Sequence, residues 1–185
     1  MTGVRILLIG PTSQPLDALA DAVARDLDRL ARPGVELTYR CTGTGPATIR
    51  SAADAEAAAP GVVDLARHAA RAGCDGIVVD CTDDPGVEEA DRELTVPVVG
   101  PGEALRVAAL SAPRPVIWLS GDDLRAGNAE DLVRGLDGAA TVVLGGTGWS
   151  DVADRLARVR PELVVLDPLP VALDRCLARI AAPAR

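Results

Sequence analysis

The stretch "GIVVDCTDDPGVEEADRELTVPVVGPGEAL" (Gly76–Leu105) decides the fold. An apolar, β-branched run (Gly76–Val79) stops at Asp80-Cys81, and the turn formers Asp84-Pro85-Gly86 follow. A helical pattern then covers Pro85–Arg92, a second apolar run covers Val96–Val99, and Gly100-Pro101-Gly102 precedes another helical pattern over Gly102–Ala109. Two short strands separated by one helix make a βαβ unit, because parallel strands need a long crossover. Both runs are apolar throughout, as expected for parallel strands covered on both faces.

The same alternation extends in both directions. Val4–Ile9 and Val35–Arg40 read as strands before the unit, and Val116–Leu119, Thr141–Leu144 and Leu163–Leu166 as strands after it. Leu16, Leu19, Ala20, Val23, Leu27 and Leu30 mark one helix face, with Ser13 as its expected cap and Pro15 near its first turn. Further helices are expected over Gly61–Arg71, Ala129–Leu136, Ser150–Val159 and Pro170–Ile180. The order predicts an α/β fold. It divides near Gly100 into residues 1–100, with four strands, and residues 101–185, with three; the last helix, about 170–181, is expected to pack back on the first half.

Composition narrows the functional classes. The chain has 185 residues, no Phe and 2% aromatic residues, so its core must be Leu, Val, Ile and Ala. A net charge of −8 without a basic stripe argues against nucleic acid or an anionic membrane surface and leaves a small molecule as the expected partner. No apolar run approaches the ~20 residues of a membrane span, and the N-terminus enters a strand without a signal-like segment, so a cytoplasmic protein is expected. The four cysteines (Cys41, Cys74, Cys81, Cys176) and single His68 form no CxxC or Cys/His cluster, which predicts neither a disulfide framework nor a zinc site. A homodimer is possible on general frequency.

Ligands of open α/β sheets bind beyond the carboxyl ends of the strands. The loops there are Gly10–Pro15, Cys41–Thr48, Asp80–Gly86, Gly100–Glu103, Ser120–Asp123, Gly145–Asp151 and Asp167–Pro170. Several combine glycine with a hydroxyl residue ahead of a helix, which suits an anion as well as ordinary helix capping. With no lysine in the chain and no complete GxGxxG, nucleotide binding is not expected. Cys81 has two readings: a thiol presented to the crevice at a helix N-terminus, or a small core residue. Cys176 shares a helical face with Leu173, Leu177 and Ile180 and reads as core; Cys41, ending a strand, keeps a chance of lining the crevice.

The segments "ILLIGPTSQP", "GTGPATIRSAADAEAAAPGVVDLARHAARAGCDGIVVDCTDDPGVEEADRELTVPVVGPGEA" and "VVLGGTGWSD" together resemble the aspartate/glutamate/hydantoin racemase superfamily, with the hydantoin racemase branch most similar. The resemblance implies two pseudo-symmetric α/β halves with parallel sheets, a site in the cleft between them, and cofactor-independent acid/base chemistry by two cysteines, one per half. The first falls on Cys81. The second falls on Gly146, within Leu144-Gly145-Gly146-Thr147-Gly148-Trp149, so the second thiol is missing, and the second half is shorter than in relatives. The family's Asn-Pro-Asn appears as Gly10-Pro11-Thr12.

The implied site is therefore Cys81 as acid/base, with Pro11, Thr12, Thr82, Asp83, Ser120, Gly145, Gly146, Thr147 and Trp149 around a small carboxylate or carbonyl substrate, and no cofactor or metal. Asp83, Asp122, Asp151 and Asp167 are candidate partner bases. The expected activity is that of an isomerase, racemase or epimerase; a decarboxylase or other lyase with the same single thiol, and a non-catalytic binding protein, are the alternatives.

Overall fold

The computed structural model describes residues 3–135 and 140–182. In chain order the elements are β1 (Val4–Gly10), α1 (Leu16–Leu30), β2 (Val35–Cys41), α2 (Ala52–Arg71), β3 (Gly76–Val79), α3 (Val87–Glu93), β4 (Val98–Val99) and α4 (Pro101–Leu110). They continue as β5 (Val116–Ser120), α5 (Gly121–Ala126), α6 (Ala129–Arg134), β6 (Thr141–Gly145), α7 (Ser150–Val159), β7 (Val164–Leu166) and α8 (Pro168–Ala181). The strands form two parallel sheets, ordered β2-β1-β3-β4 and β5-β6-β7.

Strand alternation explains the layering of the first sheet. Ile6, Leu8 and Val78 point to one face and meet Leu169, Ala172, Leu173 and Cys176 of α8. Leu7, Ile9, Ile77 and Val79 point to the other and meet Val62, Val63 and Ala66 of α2. The C-terminal helix thus covers the N-terminal sheet. A Cβ on Gly76 would lie 2.6 Å from Cys176 Sγ, so this close approach of α8 requires glycine there. The second sheet has its own core, in which Leu119, Val142 and Leu144 pack with Leu124, Val133, Val152 and Leu156.

Four local readings are corrected. Ser13 does not cap α1: the cap is Pro15, without a side-chain hydrogen bond, and the Ser13 N–H donates instead to Pro46 O at 3.0 Å. The helix expected from Gly61 begins at Ala52, where Ser51 Oγ accepts the Asp54 N–H and the helix then runs through Pro60. Pro60-Gly61 is not a break; Gly61 admits the preceding loop, since a Cβ there would meet Thr44 Oγ1 at 2.5 Å. The short α5, not expected, is closed by a reciprocal Ser120–Asp123 capping box. The expected helix reaching Leu136 ends at Arg134 among the described residues, and Leu136 itself lies outside them.

Asp84 joins the two loops that follow β3 and β4. Its backbone is left-handed (φ 52°), and its carboxylate accepts the Gly102 N–H at 2.8 Å and the Glu103 N–H at 2.6 Å, at the start of α4. Cβ atoms on Gly100 and Gly102 would lie 2.1 Å from Asp84 Oδ1 and 2.2 Å from Thr82 O. The sequence pairing of Asp-Pro-Gly with Gly-Pro-Gly is therefore one packed unit. Asp84→Ala is expected to cost about 2 kcal/mol, measured as a lower urea midpoint at unchanged slope, because it strands two helix N-terminal donors. Asp83→Ala, at an exposed neighbour, should shift stability by less than about 0.5 kcal/mol; equal midpoints for the two variants would refute the clamp.

Candidate functional site

A cavity of about 360 Å³ opens beyond the carboxyl ends of β1, β2, β3 and β6. That volume suits a small molecule. Its walls are the β1–α1 loop (Pro11, Thr12, Gln14), one face of α1 (Leu19, Val23, Asp26), Tyr39 of β2, Asp80-Cys81 after β3, and Thr147-Gly148 after β6, with residues 47–49 at one side.

Tyr39, Asp80 and Gly10 form one arrangement. The Tyr39 hydroxyl donates to Asp80 Oδ2 at 2.8 Å, and a Cβ on Gly10 would come within 2.5 Å of that hydroxyl, so glycine lets the phenol cross β1. Burial pushes the Asp80 carboxyl above the usual carboxylate range, and the Asp167 charge adds to it; the Tyr39 and Thr147 hydroxyls act in the opposite direction. Asp80 Oδ1 is buried and no group meets hydrogen-bond geometry with it among the described residues. Burial likewise drives the Tyr39 phenol well above its ordinary value, followed by the charge of Asp80.

Asp26 lies on the α1 wall, and its carboxyl is raised to about 6. Burial is the largest cause, followed by the charges of Asp80 and Asp167, with Arg25 and Arg29 opposing.

Cys81 lines the cavity, half-buried, with Sγ 3.9 Å from Asp83 Oδ2. Its thiol is pushed up to about 12, first by burial and then by the charges of Asp83, Asp80 and Asp84; a backbone hydrogen bond at Asp83 only partly offsets them. The expectation that Cys81 stands at a helix N-terminus is corrected: α3 starts at Val87 behind a turn in which the Asp84 N–H donates to Cys81 O at 3.1 Å. In the free protein Cys81 is a thiol, not a thiolate.

Of the residues expected around the substrate, Pro11, Thr12 and Thr147 line this cavity with Cys81. Thr82 instead points its hydroxyl at Gly145 O, 3.4 Å away, and so bridges the loops of the two sheets. Asp83 is exposed beside the thiol, and the Ser120 hydroxyl is engaged in capping α5. Gly145 packs against β5, where a Cβ would meet Leu119 O at 2.7 Å. Gly146 has room: a Cβ there would find only the Trp149 ring, at 3.5 Å. Trp149 packs on the core of the second sheet. Among the candidate partner bases, Asp122 pairs with Arg125, Asp151 with Arg155, and Asp167 with Arg29 at 3.4 Å. Cys41 is not among the lining residues, and Cys176 is buried core.

The carboxyls that do line the cavity, Asp26 and Asp80, carry a signal in the sequence. Asp26 falls at the i+7 position from Leu19 and i+3 from Val23, an acid within the apolar stripe of α1. No group of three or more His, Cys, Asp or Glu is placed to hold a metal ion among the described residues, and no helix among them is long and apolar enough to cross a membrane.

Fold and cavity together define a two-sheet parallel α/β protein with a thiol and carboxyl groups in a crevice at the strand ends. The chain belongs to the Asp/Glu/hydantoin racemase family, whose pattern matches residues 6–122. It is 25% identical to a hydantoin racemase of Rhizobium meliloti over 74% of this chain and 73% of that protein. Allantoin racemase from Klebsiella pneumoniae superposes with a TM-score of 0.80 at 25% identity, covering 97% of this chain and 88% of the other. A liganded mutant of arylmalonate decarboxylase shares the fold, with a TM-score of 0.65 at 15% identity over 98% and 94% of the two chains.

The raised Asp26 value fixes a stability signature. A folded-state value of about 6 against an ordinary 3.8 means the folded protein holds this proton more tightly than the unfolded chain, so stability falls as pH rises from about 4 to 6. Asp26→Asn removes the charge and should raise stability at pH 8 by about 1 kcal/mol, after discounting for partial exposure, or about 2–4 °C in Tm. At pH 3.5 the gain should vanish. A gain independent of pH, or a loss at pH 8, would contradict the assigned electrostatics.

Proposed function

We propose that this protein is a cofactor-independent racemase or epimerase of a neutral cyclic amide or ureide, with Cys81 as an acid/base group. The observation that carries the reading is the chemistry of the cavity. It contains a thiol, two carboxyl side chains and hydroxyl groups, with no Arg or His among its described lining residues. A substrate carboxylate about 5 Å from one ionised Asp would meet a repulsion of about 3 kcal/mol at an effective dielectric of 20. A neutral ring bearing N–H groups meets the opposite situation, because the Asp80 carboxyl lines the cavity and no group among the described residues meets hydrogen-bond geometry with its Oδ1. Of the two substrate classes expected from the sequence, the carbonyl compound is favoured over the carboxylate. Similarity to hydantoin and allantoin racemases supports a five-membered ureide ring.

In such a ring the reacting C–H lies next to a carbonyl, so its removal leaves an enolate. Returning a proton to the opposite face inverts the centre, and no redox change or leaving group is involved. The Cys81 thiol, held protonated to about 12, is suited to delivering that proton; once ionised it is a strong base for the reverse direction. The Thr12 and Thr147 hydroxyls line the cavity and would serve the developing oxyanion. Decarboxylation of a malonate would bring two negative charges into the same acidic cavity, which disfavours that alternative.

The test incubates the protein with enantiopure allantoin and 5-substituted hydantoins in D₂O, following circular dichroism and α-deuteration against a protein-free control. At least one should racemise with deuterium uptake, and Cys81→Ala should lower the rate of racemisation at least about 10³-fold. Release of CO₂ from arylmalonates without ureide exchange would replace this reading with the decarboxylase; unchanged turnover in Cys81→Ala would remove the thiol from the chemistry.

A further inference from the structure

We propose that Asp26 is the second acid/base group of this site, serving the substrate face walled by α1 and the β6–α7 loop while Cys81 serves the other. This rests on the reading of Cys81 as an acid/base thiol. Inversion requires a proton acceptor and donor on opposite faces of one carbon. Only one thiol lines the cavity among the described residues, so the second group must be of another type.

The titratable side chains lining the cavity are Asp26, Tyr39, Asp80 and Cys81. Tyr39 and Asp80 are hydrogen-bonded to each other, and Asp80 is adjacent in sequence to Cys81 at the end of the same strand. Asp26 comes from a different element. It and Gly148 line both this cavity and an adjoining one, which places Asp26 at the junction beside the β6–α7 loop. Among the described residues its carboxylate has no hydrogen bond and no ion pair within 4 Å, although Arg25 and Arg29 of α1 face the adjoining cavity. A half-buried acid on the apolar stripe of a helix, without a hydrogen bond or ion pair among the described residues and lining a crevice, is not explained by packing.

The groups that set its titration are Asp80 after β3, Asp167 at the start of α8, and Arg25 and Arg29 on its own helix. Tyr39 of β2 also senses its charge, and Asp151 and Asp154 of α7 line the adjoining cavity. The resulting value of about 6 makes it an ionised base at neutral pH, complementary to a thiol that is protonated there.

The step balances without a co-reactant. The Asp26 carboxylate takes the C–H proton and the electron pair enters the enolate; the Cys81 S–H bond then breaks as the carbon gains that proton on its other face. The protein is left with a carboxylic acid and a thiolate. That form acts on the opposite enantiomer, or returns to the starting form by proton transfer through water.

The test uses the full chain and the ureide panel. Asp26→Asn should lower kcat/KM for racemisation at least 100-fold with KM within about threefold, and Asp26→Glu should recover part of it. In D₂O, Asp26→Asn should exchange the α-proton of one enantiomer with retention and Cys81→Ala that of the other. The wild-type kcat/KM should fall with unit slope below about pH 6.

Racemisation by Asp26→Asn within threefold of wild type, with Cys81→Ala inactive, overturns the inference and leaves the proposed function standing. If wild type turns over none of the panel, the proposed function fails, and a readout without turnover decides for Asp26. Calorimetric binding of 5,5-dimethylhydantoin, a ring with no α-proton to lose, should change in affinity about threefold or more across pH 6 in the wild type and stay flat in Asp26→Asn; no binding by either protein overturns the inference. Identical profiles in the two proteins overturn the inference.

Discussion

The Asp84 carboxylate holds the loop after β3 against the first turn of α4, and the position of Cys81 follows from that contact. Asp84 adopts a left-handed backbone that turns the chain back on itself three residues beyond the thiol, and its two oxygens occupy the space that side chains at positions 100 and 102 would need. Because α4 also packs on α8 and, through Leu105 and Ala109, on Val143 of β6, the clamp links the thiol loop to both sheets. Thr82 extends the linkage by approaching Gly145 O in the loop after β6. The thiol is thus fixed by backbone-directed contacts on both sides.

Electrostatics within that frame run against stability. Asp80 and Asp167 raise the proton affinity of Asp26, and Asp167 that of Asp80, inside a chain that already carries a charge of −8. A hydrophobic residue at position 26 would continue the α1 stripe of Leu19, Val23 and Leu30 at no such cost. Where a fold keeps an unpaired acid at a position that packing would fill with carbon, a functional cause is the physical alternative. The same reasoning separates Asp26 from Asp122 and Asp151, whose charges are spent on exposed arginines of their own helices.

Most strands were legible as short apolar runs and β2, with Glu36, Thr38 and Arg40 on its exposed face, by its β-branched and alternating pattern; all seven fall where the β-α alternation places them. Cys81 was legible because it ends such a run. What the sequence concealed is lateral contact between elements. Tyr39 and Asp80 are 41 residues apart and meet only because β1 lies between their strands with glycine at its end. The sequence placed the start of α2 at Gly61 rather than Ala52, and the loop that rests on Gly61 lies 17 residues earlier, a contact that local pattern does not show. The thiol's protonation was equally hidden: helix dipole and neighbouring aspartates act in opposite directions, and only the intervening turn removes the dipole from the balance.

Gly146 shows how the site can change without loss of the fold. The position tolerates a Cβ, with only the Trp149 ring in contact distance, so its lack of a side chain is not forced by packing as it is at Gly76, Gly100 or Gly102. The Asp26 carboxyl of α1 lines the cavity beside that same loop, at the junction it shares with Gly148. Moving one half of an acid/base pair from a strand-end loop to a helix face changes its chemical type from thiol to carboxyl. In the proposed reaction the pair would be unequal, with one member raised to about 6 and the other pushed up to about 12, in a cavity whose carboxyl groups disfavour an anionic substrate.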